Sequence, residues 1–170
     1  MKLDINFKEL SERINIKRLL RYLLYMFLSL VAQNMLFTKL RIFGVCPMVL
    51  PAVAVAVGMF EGASWGAIFS LVMGIFADMA FVENTVMFTV LFPALAFGSG
   101  FISQFFINRR FVAFMGAAFF ALLITAAVQA LKTFAVDGWT LSAVPVVAMQ
   151  TVWSLPPAAL AYFPPAKWIE

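Results

Sequence analysis

Apolar positions in this chain fall in long blocks separated by short polar breaks, not in a fine alternation. The blocks cover residues 22–37, 47–60, 63–81, 86–106, 111–131 and 141–163. An α-helix needs about 20 mostly apolar residues to cross a bilayer core about 30 Å thick. The pattern therefore predicts an all-α integral membrane protein, a bundle of about six transmembrane helices. The second block is shorter than the usual span and carries Pro47 and Pro51. It predicts a span that is short, tilted or partly re-entrant, since non-helical backbone is tolerated at membrane depth only where protein covers it. Pro145, Pro156 and Pro157 predict interruptions of the sixth span.

Composition narrows the picture. The 170 residues are 64% hydrophobic and only 12% charged, with a mean hydropathy of +0.99, which leaves no room for a soluble domain of useful size. Residues 1–18 read as a cytoplasmic tail, residues 19–166 as one six-span domain, and 167–170 as a second cytoplasmic tail. In the first tail Ile5, Phe7, Leu10, Ile14 and Ile16 sit loosely at helical spacing. That suits either an amphipathic helix on the lipid surface or a solvated segment.

Charge sets the expected orientation. Nine of the 12 basic residues fall on the side of the termini, leaving Lys39, Arg41 and Lys132 opposite. The positive-inside rule then puts both termini in the cytoplasm. The net charge of +4 is explained by contact with anionic inner-leaflet lipid, so no nucleic-acid partner is expected. The chain has no His and one Cys, Cys46, which removes the common nucleophilic dyads and the usual nitrogen and sulfur metal-ligand sets. No enzyme activity, no metal and no cofactor is expected.

The most regular local pattern is Gly58, Gly62, Gly66, Ser70, Gly74 and Asp78, one small or acidic residue at every fourth position. Residues four apart on a helix form one slanting ridge, and small side chains along it let another backbone approach closely. Gly62, Gly66, Ser70 and Gly74 are accordingly expected to pack against a neighbouring span or to bind a partner helix. The bend between the second and third spans is expected within 58–62, with Glu61 exposed there. Asp78 falls about 24 Å along the helix from Gly62, towards the external end. A carboxylate there opposes its own helix dipole, so either an ion pair with Lys39, Arg41 or Lys132 compensates it or it is a water-exposed interfacial carboxylate with no fixed partner. Gln33, Asn34, Gln129 and Gln150 are amides in apolar surroundings and should form interhelical hydrogen bonds. Trp65 and Trp153 are expected to pack within apolar segments.

A Pro-led apolar second span followed by Gly62-x3-Gly66-x7-Gly74-x3-Asp78, in a six-span chain of this length, resembles the MreD family of bacterial rod-shape-determining membrane proteins. The resemblance covers residues 46–81 by motif and the remainder by hydropathy and length. It implies a bundle similar to the substrate-binding subunits of energy-coupling-factor transporters, in the bacterial inner membrane. It also implies a non-enzymatic scaffold of the cell-elongation complex that docks an MreC-like bitopic protein. Through that partner it would link MreB filaments to RodA and its transpeptidase and support peptidoglycan synthesis. The alternative is a vitamin-binding subunit of an energy-coupling-factor transporter. Such subunits carry an Ala-x3-Ala pattern on the first span, where this chain has only Ala32.

Overall fold

The computed structural model describes residues 16–40, 45–80, 86–105, 111–137 and 143–165. The N-terminal tail up to residue 15, Arg41, Arg109, Arg110 and the tail 167–170 lie outside them. Among the described residues six helices follow one another: α1 (Ile16–Ala32), α2 (Leu50–Glu61), α3 (Ala63–Ala80), α4 (Met87–Phe105), α5 (Phe111–Asp137) and α6 (Ala143–Leu160). A π-helical turn, Gln33–Phe37, continues α1. All but α2 are long and apolar enough to cross a membrane, and the chain is an all-α membrane bundle.

The short helix is the centre of the fold. Every residue of α2 from Leu50 to Phe60 is buried. Its run of alternating Ala and Val is apolar on all sides, as a helix enclosed by others must be. The 12 residues of α2 reach only about 18 Å, too little for a bilayer core. The deficit is met by the non-helical lead-in 45–49, which is covered by α1 and α6 through side-chain hydrogen bonds.

Neighbouring helices alternate in direction. Arg18 at the start of α1 meets Glu61 at the end of α2, and Gln33 beyond the end of α1 meets Val49 before the start of α2. Phe60 packs edge-on against Tyr162 at 5.3 Å, so the start of α1 and the chain following α6 share one end of the bundle. Gln129 and Gln150 join α5 and α6 at the opposite end.

Glycine governs how tightly α2, α3 and α4 meet. Gly62 turns the chain between α2 and α3 with φ +95°, a conformation that side chains with a Cβ rarely adopt. Its N–H donates to the Gly58 carbonyl at 3.0 Å and its carbonyl accepts from Gly66 N–H at 2.9 Å, so one residue closes α2 and opens α3. Gly66 lies against the backbone of Gly58, and Gly74 against the backbone of Phe88 and Thr89. Gly100 of α4 lies against Ala63 and the Gly58 carbonyl.

The sixth helix differs from expectation. It runs unbroken from Ala143 to Leu160 with Pro156 and Pro157 inside it, as α4 runs through Pro93. Proline within a membrane helix is tolerated when neighbouring helices and Ser or Thr side chains serve the freed backbone groups. Pro145 falls in the first turn, where its missing N–H has no helical acceptor to lose.

Candidate functional site

Three polar assemblies and one groove stand out from the apolar bundle. The first surrounds Asp78. Its Oδ1 accepts from the backbone N–H of Phe88 at 3.1 Å, and its Oδ2 accepts from the N–H of Thr89 at 2.8 Å and the Thr89 hydroxyl at 2.7 Å. These donors open α4. A helix N-terminus presents unsatisfied N–H groups and the positive end of its dipole, so Asp78 caps the next helix from the end of the previous one.

This replaces both expected arrangements, the ion pair and the carboxylate with no fixed partner. The only salt bridge among the described residues is Arg18–Glu61, and Arg41 lies outside those residues. The compensation for Asp78 comes from backbone amides, not from Lys39 or Lys132. Removing the cap in Asp78→Ala should cost about 1–2 kcal/mol of bundle stability, and Asp78→Asn less, because one acceptor oxygen remains. Thermal unfolding in detergent would measure both. Charge swaps between position 78 and Lys39 or Lys132 should give no rescue.

The second assembly holds the lead-in to α2. Gln33, buried to 3% exposure, donates from Nε2 to the Pro47 carbonyl at 3.0 Å and accepts at Oε1 from Val49 N–H at 2.8 Å. One amide thus serves both a donor and an acceptor of the non-helical backbone. Ser154 of α6 accepts from Met48 N–H at 2.8 Å and donates to the Gln150 carbonyl at 2.6 Å. Gln150 donates to Gln129 at 2.9 Å, and Gln129 donates to the Met48 sulfur at 3.4 Å. Of the four expected amides, Gln33, Gln129 and Gln150 therefore converge on one end of α2. Asn34 does not: it bonds back to Leu30 of its own helix at 3.0 Å and faces outward.

The small-residue ridge is used inside the chain. Gly66, Ser70 and Gly74 are all buried, with α2 against Gly66 and α4 against Gly74. Ser70 Oγ is buried with no hydrogen-bond partner among the described residues. No partner helix can reach that row without displacing α2 or α4.

The third assembly, which the sequence reading missed, is Arg18, Tyr22 and Glu61. Arg18 grips the Glu61 carboxylate in a fork, through Nε to Oε1 at 3.2 Å and through Nη2 to Oε2. The Tyr22 hydroxyl donates to the same carboxylate. Glu61, expected to be exposed, keeps only 9% of its side chain accessible, whereas Arg18 keeps 56%. A signal existed: Glu61 is the sole charge on an otherwise apolar span, and Arg18 begins the antiparallel span before it.

These three residues form one end of a groove of about 290 Å³ between α1 and α3, floored by Val57 of α2. Its walls are Leu19, Leu23 and Met26 on one side and Trp65, Ile68, Phe69 and Val72 on the other. Tyr22 and Phe69 meet edge-on across it at 6.1 Å. Trp65 is 55% exposed here, so it lines a surface groove and does not pack inside as expected. No family model matches the chain, and no curated protein or solved structure matches it either.

Proposed function

We propose that this chain is a non-enzymatic scaffold subunit of a bacterial cell-elongation complex, docking an MreC-like bitopic protein. Through that partner it would support peptidoglycan synthesis by RodA and its transpeptidase, in step with MreB filaments. The motif resemblance over 46–81 motivates the reading. The observation that supports it best is that the bundle's interior is already committed to itself. α2 fills the centre, the glycine ridge is closed by backbone, and the interior amides bond to one another and to the α2 lead-in.

A vitamin-binding subunit would need Gln33, Gln129 and Gln150 turned towards a ligand. Their hydrogen bonds within the chain favour the scaffold. What remains for a partner is the outer surface. On α1, Leu20, Leu24, Phe27 and Leu28 are exposed at helical spacing, on a different face from the groove residues. We assign the partner's transmembrane helix to this row, replacing the small-residue ridge as the docking face. The positive-inside count supports an inner-membrane location with both termini cytoplasmic.

Affinity capture of the tagged protein from its native membrane tests the reading. An MreC-like protein and cell-wall synthases should be recovered, and recovery should fall in a Leu24→Ala, Phe27→Ala double variant that still inserts. Recovery of paired ATPases with a membrane coupling subunit would overturn it.

A further inference from the structure

We infer that the groove between α1 and α3 is a binding site for one anionic phospholipid, with an acyl chain between the helices and the headgroup phosphate at Arg18. The inference is independent of the scaffold reading, since it requires only that the bundle lies in a bilayer.

The lining selects the occupant: apart from Arg18, Tyr22 and Glu61 at its mouth, every side chain of the groove is apolar, which suits a hydrocarbon chain. Arg18 to Met26 gives the groove about 12 Å of length along α1, lined almost throughout by apolar side chains. A cleft of this kind facing a bilayer is filled most readily by the hydrocarbon already around it.

Chemistry then selects the headgroup. Arg18 begins the apolar stretch Arg18–Phe37, the depth at which lipid phosphates lie. Its guanidinium has five N–H donors in a planar fork. Glu61 engages two of these donors, one on Nε and one on Nη2. The Glu61 and Tyr22 contacts hold the guanidinium at the mouth of the groove, so a phosphate oxygen there meets a donor already oriented. Arg18 and Arg21 bring two positive charges to the first turns of α1 against the one negative charge of Glu61. That balance favours a net negative headgroup over a zwitterionic one.

Trp65 supplies the readout, because it lines the groove and is open to a chain lying there. With Trp139, Trp153 and Trp168 replaced by Phe, its fluorescence in vesicles reports contact with brominated acyl chains. Brominated phosphatidylglycerol should quench it with about tenfold higher apparent affinity than brominated phosphatidylcholine, the size of one charge-assisted hydrogen bond. Arg18→Gln should bring the two lipids to parity, while Arg21→Gln, about 4.5 Å further along α1 and outside the groove lining, should reduce the preference less. Val72→Phe, which shortens the groove from its inner end with Arg18 intact, should weaken quenching by both lipids.

Equal quenching by the two lipids in the parent protein would overturn the inference. So would a preference lost equally in Arg21→Gln and Arg18→Gln, which would mean diffuse surface attraction. Inorganic phosphate that abolished the preference would assign the site to a free anion, and insensitivity to Val72→Phe would empty the groove of its acyl chain.

Discussion

Gly66→Leu is expected to abolish the folded bundle. A Cβ at position 66 would overlap the Cα of Gly58 and crowd its backbone nitrogen. These atoms belong to α2, which is enclosed by its neighbours, so the obstacle is backbone with nowhere to retreat. Overpacking a well-packed interior costs about 1–3 kcal/mol when side chains can shift, and more when they cannot. Several kcal/mol is a large part of a domain's total stability. Gly74→Leu, against the Phe88 carbonyl and Thr89 Cα, should behave similarly. The controls are Gly98→Leu and Gly116→Leu, where an added Cβ meets nothing within 4 Å. Size-exclusion chromatography and thermal unfolding in mild detergent should show loss of a monodisperse species for the first pair alone. A stable, monodisperse Gly66→Leu protein would mean that α2 and α3 do not pack this closely.

Gln33→Leu should be the next most damaging single change. It removes the partner of both the Pro47 carbonyl and the Val49 N–H while leaving them buried. Each buried backbone group left unsatisfied costs about 1–3 kcal/mol, and no water at that depth supplies a substitute. The expected loss is therefore roughly 2–6 kcal/mol. Asn34→Leu, one residue on, removes only a bond to Leu30 of the same helix and should be nearly neutral. Gln33→Glu distinguishes the two halves of the clasp: it keeps an acceptor for Val49 and loses the donor to Pro47. Similar stability in the Gln33 and Asn34 leucine variants would show that the lead-in to α2 is held by other means.

These two cases mark where sequence was informative. Helix existence was legible from hydropathy alone, as α3 and α4 illustrate: blocks 63–81 and 86–106 became Ala63–Ala80 and Met87–Phe105. The four-residue glycine spacing identified which face of α3 is narrow. It could not identify what fills that face, because spacing fixes a direction on one helix and says nothing of its neighbour. Asp78 was read against its own helix dipole and given a cation or open water. Its compensation is the opposite dipole end, on the next helix in the chain, which becomes visible only when the α3–α4 turn is folded. Arg18 and Glu61 are separated by 43 positions, so no local pattern joins them.

The lead-in to α2 also bears on the order in which the chain can be assembled. A 12-residue apolar helix preceded by non-helical backbone is a poor candidate for insertion on its own. Its backbone acceptors and donors at Pro47 and Val49 are met by Gln33, which is synthesised earlier. The Met48 N–H, however, is met by Ser154 of α6, which is synthesised about a hundred residues later. Until α6 has been made, the Met48 N–H lacks this acceptor and the α2 lead-in stays incompletely satisfied. The emergence of α6, and not of any earlier span, completes the clasp on the α2 lead-in.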